Sequence, residues 1–346
     1  MDPIDFIFDN KPDYTNKHLK EAIRLRYELY KVGLCAMLGP TDIDMEKNRR
    51  LSFQSPRLLG VLNITPDSFS DGGKFLNADS AVAQALRMVR AGAHALDLGA
   101  ESTRPGSRSV SAKIQKQRLL PVLKALRNRR ELNKIPLSID TQSAEVARAC
   151  LGEGADLIND ISALRHDKQM ARVIARAKCP VILMHMQGTP RTMQKDPKYT
   201  DVMDEMDLFF RKRIHAAYDA GIAPTKVLLD PGIGFGKTLE HNLEILRRLA
   251  EFKALGRPLV VGVSRKRFLG ALTGEDVPER RVTQSVAAGM LAVANGAAIL
   301  RVHDVAEHAT ALKVVAAILG KVQGLERAGR GVTATAVSRK DAKIKG

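Results

Sequence analysis

The sequence predicts an α/β protein whose body is a (β/α)8 TIM barrel, with an N-terminal extension and a basic C-terminal tail. Three observations predict it. From residue 57 onward, short runs rich in Leu and β-branched residues alternate with longer stretches whose apolar residues recur at three and four positions. The runs are nearly continuously apolar, as strands of a parallel sheet covered on both faces must be. There are eight of them between residues 57 and 320, which matches the ~250 residues typical of such a barrel. A doubly wound open sheet is the competing arrangement, but it usually has fewer strands and its glycine-rich fingerprint is missing.

In chain order the predicted strands are Leu58–Thr65 (LLGVLNIT), His94–Ala100, Pro136–Thr141, Leu157–Ser162, Pro180–Met186, Lys226–Gly232, Pro258–Ser264 and Ala297–Asp304. Helical periodicity marks Ser80–Ala91, Ser143–Glu153, Leu239–Lys253 and Gln284–Asn295 between them. Small glycine turns lead from helix into strand, as in RAGAHALDL, GEGADLIND and VANGAAILR. Residues 1–56 do not join this rhythm. They hold nine basic and nine acidic side chains, and Asn16–Met37 can form an amphipathic helix with Leu19, Ile23, Tyr27 and Tyr30 near one face. This extension is expected to pack on the barrel or on a partner subunit. The tail 321–346, with seven basic and two acidic residues, is expected to be disordered. The domain reading is therefore 1–56 extension, 57–320 catalytic barrel, 321–346 tail.

Composition excludes several function classes. The 346 residues carry 55 Lys and Arg against 38 Asp and Glu, a net +17, and a basic body suits anionic ligands. Aromatics are only 4% and Trp is absent, so a base-stacking surface for nucleic acid is poorly supplied. No apolar run approaches the ~20 residues of a membrane span. Cys35, Cys150 and Cys179 are odd in number and widely spaced, which argues against a disulfide scaffold or cysteine zinc site and for a reducing compartment. The N-terminus has four Asp in its first 13 residues and no basic residue before Lys11. It fits neither a secretory nor a mitochondrial signal, so a cytoplasmic location is expected.

Every predicted strand ends in polar residues: Asn63, Asp97 with Glu101, Asp140, Asn159, His185, Asp230, Ser264 to Lys266, and Arg301 to His303. In a TIM barrel these ends form the catalytic mouth. Arg301 and His303, two apart on one strand, face the same way. Asn63 ends the neighbouring strand, so the three suit a diphosphate with Mg2+ shared between an amide oxygen and phosphate oxygens. Asp140, Asn159 and Asp230 would match the N–H donors of an amino-pyrimidinone heterocycle, and Lys266 could reach its carbonyl or ring nitrogen. Internal Asp–Lys salt bridges are the alternative use of the same side chains. The loops Ile64–Phe75 and Glu101–Ser107, rich in Ser, Gly, Pro and Asp, read as lids that exclude water. The segment DPGIGFGKT (Asp230–Thr238) is not a phosphate loop, because Pro231 stands where its first glycine must be, and its GxGxG spacing is not the dinucleotide fingerprint. Its glycines are expected to open a strand-to-helix loop, with Lys237 starting the next helix.

The segments LNITPDSFSDGGKF, DLGAESTRPGS, SIDT, INDIS, DPGIGFGK, GVSRK and RVHD, in this order over about 57–320, resemble the dihydropteroate synthase family. The resemblance implies condensation of 6-hydroxymethyl-7,8-dihydropterin diphosphate with 4-aminobenzoate, releasing pyrophosphate with Mg2+ as cofactor, and a homodimer. It implies a pterin site of Asp140, Asn159, Met184, Asp230, Gly262 and Lys266. Asn63, Thr103, Arg301 and His303 would hold the diphosphate, Asn63 being the metal residue, and Phe69, Pro105, Phe235 and Ser264 the aminobenzoate. Asp140, Asp230, Lys266 and Arg104 would carry the chemistry. Two other readings compete: a pterin-dependent methyltransferase barrel, which would need neither ESTRPGS nor the diphosphate pair, and a catalytically silent pterin-binding scaffold.

Overall fold

The computed structural model describes residues 42–45, 49–65, 74–101, 107 and 109–318. The amphipathic stretch Asn16–Met37, the tail 321–346, Cys35, and the site candidates Phe69, Thr103, Arg104 and Pro105 lie outside them. A short hairpin, β1 (Ile43–Asp44) and β2 (Arg50–Leu51), precedes the body. Then come β3 (Arg57–Asn63), α1 (Lys74–Arg90), β4 (Ala95–Gly99), α2 (Ala112–Arg127), β5 (Leu137–Asp140), α3 (Ala144–Gly152), β6 (Leu157–Asp160), α4 (Met170–Ala177) and β7 (Val181–Met184). The second half continues with α5 (Val202–Asp219), β8 (Val227–Asp230), α6 (Leu239–Arg247), β9 (Val260–Val261), α7 (Arg267–Thr273), α8 (Val282–Ala294), β10 (Ile299–Val302) and α9 (Val305–Ile318).

All eight predicted strands form, and each pairs in parallel with its neighbours in the order β8-β7-β6-β5-β4-β3-β10-β9. A parallel bridge from Leu229 to Leu259 closes the ring, with the Leu229 amide donating to Pro258 O at 3.0 Å. The strand residues are buried almost without interruption, as a sheet with helices outside and side chains within requires. Four of the helices start where small polar residues accept orphan amides: Ser111 from Ile114, Ser143 from Val146, Asp201 from Met203 and Asp204, and Thr238 from His241. The predicted helix Leu239–Lys253 is divided. Its α-helical part ends at Arg247, and Leu249–Leu255 continues as a 3-10 helix. Leu249, Phe252 and Leu255 are spaced by three, so the 3-10 repeat puts all of them on one face, and all are buried.

The floor of the barrel, at the N-terminal ends of the strands, is sealed. Ile43, Leu51 and Phe53 from the hairpin region pack against Leu59, Ala95, Leu157, Ile182, Leu228, Val260 and Ile299 of the barrel interior. Beside them the fully buried Asp156 carboxylate accepts from Arg49 Nε, Arg127 Nη2 and the Leu137 amide.

Candidate active site

The strand registers line up the polar ends at the opposite mouth. Asn63 pairs with Gly99, Gly99 with Asp140, and Asp140 with Asn159, so the four residues form one row across β3 to β6. Paired residues of parallel strands point to the same face, here the barrel interior. Gly99 leaves a gap in that row. A Cβ there would stand 3.8 Å from Asn63 Oδ1 and 3.9 Å from Asp140 Oδ2. Across the barrel, Met184 pairs with Asp230.

Arg301 of β10 spans the centre, its Nε donating to Asp97 Oδ2 at 2.6 Å and its Nη2 to Asp140 Oδ2 at 2.9 Å. Asn159 Nδ2 donates to the same Asp97 oxygen at 3.0 Å. Two acceptors are left over: Asp97 Oδ1 and Asn159 Oδ1 are buried with no hydrogen-bond partner. Orphaned buried acceptors cost about 1–3 kcal/mol each, and they persist where a bound donor would satisfy them. Asp230 sits on the other side, its Oδ1 accepting from the Gly232 amide at 2.7 Å. The cleft between these groups is lined by Asp140, Asn159, Ile161, Met184, Asp230, Gly232, Ile233, Phe235, Gly262, Lys266 and Arg301.

Burial sets the protonation states. It pushes the Asp140 carboxyl up to about 7, with Arg301 opposing and Asp97 assisting. Burial also raises Asp230 and lowers Lys266 to about 8, where Arg301 works in the same direction. Arg301 is buried too, yet Asp97 and Asp140 hold its guanidinium charged. The Lys266 ammonium lies 4.2 Å above the Phe235 ring, a cation–π contact.

The cleft thus unites Asp140, Asn159, Met184, Asp230, Gly262, Lys266, Arg301 and Phe235 from six strand ends and the loop after β8. Two expected members behave differently. Ser264 faces His303 rather than the cleft: its Oγ lies 3.1 Å from His303 Nδ1 and accepts from the His303 amide at 3.2 Å. His303 serves beside Arg301 as a donor group rather than a second cation. Burial, then Arg301 and Arg265, push its imidazole down to about 3, so the ring is neutral and can only offer a hydrogen bond. Lys237 does not open the next helix, which Thr238 caps; its side chain is buried under its own loop. The residue that sequence reasoning left without a role is Asp97. Its signal was present: an acid in the middle of the apolar run LDLG, two residues before Gly99 and so on the same interior face.

Residues 59–303 match the pattern of the pterin binding enzyme family. The dihydropteroate synthase of Synechocystis is 48% identical over 261 residues, 75% of this chain and 89% of that protein. The chain belongs to the dihydropteroate synthase family. Among solved structures, the Yersinia pestis dihydropteroate synthase with a sulfonamide drug superposes with a TM-score of 0.76 at 43% identity, covering 81% of this chain and 99% of that one. The Xanthomonas albilineans dihydropteroate synthase with 4-aminobenzoic acid gives 0.75 at 42% identity, with the same coverage. Membership also agrees with the closed barrel, and among the described residues no helix is long and apolar enough to cross a membrane.

Proposed function

We propose that the chain condenses 6-hydroxymethyl-7,8-dihydropterin diphosphate with 4-aminobenzoate to give 7,8-dihydropteroate and pyrophosphate, in the barrel of residues 57–320. The observation that carries the assignment of roles is the orphaned acceptor Asn159 Oδ1 in the lining of the cleft, beside buried Asp140 and Asp230. An amino-pyrimidinone edge offers an N–H donor of the kind it lacks, and Lys266 can donate to its carbonyl or ring nitrogen. The C–O bond between the pterin methylene and the diphosphate breaks with its electron pair leaving on pyrophosphate. Arg301 and the neutral His303 ring donate hydrogen bonds to the departing group. The resulting cation, conjugated to the dihydropterin, is stabilised by the Asp140 and Asp230 carboxylates. The aromatic amine then forms the C–N bond and loses a proton. Phe235, against the Lys266 ammonium, forms an apolar wall that limits water at the cationic methylene.

Magnesium fits this site only as a companion of the substrate. No group of three or more His, Cys, Asp or Glu side chains able to hold a metal occurs among the described residues. Asn63 offers one amide oxygen beside the Gly99 gap, the kind of single protein ligand that Mg2+ bound to phosphates accepts. Bound there, the ion would neutralise charge on the leaving diphosphate.

A homodimer is supported by the outer face of the last two helices, where Leu291, Val314 and Ile318 are 55%, 57% and 77% exposed. Large apolar side chains so exposed on packed neighbours suit a subunit contact. The buried, widely separated cysteines Cys150 and Cys179 suit a reducing compartment such as the cytoplasm.

The test is pyrophosphate release by the purified chain from the dihydropterin diphosphate with Mg2+, with and without 4-aminobenzoate. Amine-dependent release with dihydropteroate formed is the expected result. Tight pterin binding without release would overturn the reading.

A further inference from the structure

The segment DPGIGFGK contains a lysine that the reaction does not use. Lys237 is 3% exposed, and its ammonium points into the loop that carries it. Nζ donates to Gly232 O at 3.1 Å and Phe235 O at 3.0 Å, and reaches His185 O at 3.4 Å and His185 Nδ1 at 3.0 Å. His185 belongs to the end of β7, so one ammonium ties together two consecutive strand-end loops. The His185 ring is held from behind by Phe209, edge-on at 4.7 Å between centroids, and by Tyr199 at 6.1 Å. Burial, then Lys237 and Arg165, keep that ring well below its usual pKa, so it is neutral and Nδ1 accepts.

The loop around Lys237 is rich in glycine and depends on hydrogen bonds to hold its shape. Gly232, Gly234 and Gly236 all have left-handed φ, at 62°, 82° and 62°. A side chain at Gly232 would bring its Cβ to 2.0 Å from His185 O, and one at Gly236 to 2.5 Å from Gln187 O. Three glycines in seven residues give the two loops room to touch but also leave the loop's backbone entropically costly to fix. What fixes it are bonds to its carbonyls, from Lys237 to Gly232 and Phe235, from Gln194 to Gly234 and from Tyr199 to Gly236, and bonds from the Gly232 amide to Asp230 and from the Gly234 amide to Asn242. Lys237 is the one that binds on both sides of Ile233, which with Gly232 and Phe235 lines the cleft. Phe235 in turn is the ring beneath the Lys266 ammonium.

We infer that Lys237 is a positioning residue for the substrate cleft, its ammonium clamping the loop after β8 to the end of β7 so that Phe235 and the Asp230 turn are held against the substrates. The inference rests on the function proposed above. It acts at one remove: Lys237 touches no substrate, and Phe235, Lys266 and Asp230 do. The clamp is tolerant of its own protonation. Burial lowers Lys237 to about 7, and a neutral amine can still donate to the two loop carbonyls while accepting from the other tautomer of His185.

The test is steady-state kinetics of the full chain with Lys237→Ala and Lys237→Met, each substrate varied at saturation of the other, beside thermal unfolding of the same samples. Lys237→Ala is expected to lower kcat/KM for 4-aminobenzoate roughly tenfold or more. Propylammonium, which refills the vacated channel with a cation, is expected to return several-fold of that loss, and propanol none. A purely structural lysine would show a loss tracking the folded fraction, with no difference between the two additives. Lys237→Met fills the channel without donors and should show the same kinetic loss beyond the additives' reach. Unchanged constants in both variants, or rescue by propanol equal to that by propylammonium, would overturn the inference, as would failure of both variants to fold. No turnover by the unaltered chain would overturn the functional reading instead, and the inference with it.

Discussion

The two ends of the barrel solve the same electrostatic problem in opposite ways. At the floor, Asp156 is wholly buried and meets two arginines and a backbone amide. At the mouth, one arginine, Arg301, is divided between two buried acids, Asp97 and Asp140, and Asp97 Oδ1 and Asn159 Oδ1 have no donor. A buried carboxylate supplied with cations and amides is finished; it closes a core and has nothing left to bind. A cluster short of donors is held in place by the surrounding fold and is completed only by a ligand. The comparison teaches where this chain invests its stability and where its reactivity.

Substitutions can break or sharpen that contrast. The largest expected effect is on activity at the mouth: Asp140→Ala should lower turnover by roughly 10²–10⁴-fold, read as dihydropteroate formed per folded molecule, while the unfolding midpoint changes little or rises. Next, at the floor, Asp156→Ala strands buried Arg49 and half-released Arg127, and should cost about 3–5 kcal/mol in urea unfolding with turnover per folded molecule preserved. If instead Asp156→Ala spares stability, or Asp140→Ala costs as much stability as Asp156→Ala, the contrast is wrong.

The pH dependence is a finer probe. An acid raised from 3.8 to about 7 keeps its proton longer when folded than when unfolded. Its contribution to stability is therefore full below pH 3.8 and is lost as pH rises toward 7. The unaltered chain should lose more stability between pH 4 and 7 than Asp140→Asn does, as measured by denaturant midpoints. Turnover needs Asp140 ionised and Lys266, lowered to about 8, protonated. Its profile should then fall on the acid side near pH 7 and on the alkaline side near pH 8, and Lys266→Met should abolish the alkaline limb. The smallest effect is expected far from both ends. Leu291→Glu on the outer face of α8 should shift the molecular mass by light scattering toward the monomer and leave turnover within about threefold, because Leu291 does not line the cleft.

Much of this was legible in the primary structure. Each of the eight strands was marked by its own apolar run, and period-two alternation placed Arg301 with His303 on one face. Strand-end chemistry in a barrel converges for topological reasons, so Asp140, Asn159, Asp230 and Lys266 could be grouped before any coordinate was known. Three features could not be read that way. The α-to-3-10 change after Arg247 depends on which face of Leu249, Phe252 and Leu255 the barrel offers. The neutrality of His303 depends on burial and on two arginines that approach from other elements. Lys237 read as the start of the next helix because nothing local says that His185, 52 residues earlier, waits beneath it.

The sequence by itself determined the barrel and the mouth at which its polar strand ends gather, because periodicity and strand-end polarity are local properties of the chain. The tertiary structure decided which buried charges are satisfied and which are short of a partner. That outcome depends on donors brought together across the barrel, such as Arg301 from β10 meeting Asp97 of β4 and Asp140 of β5, and on the dielectric that their shared burial creates.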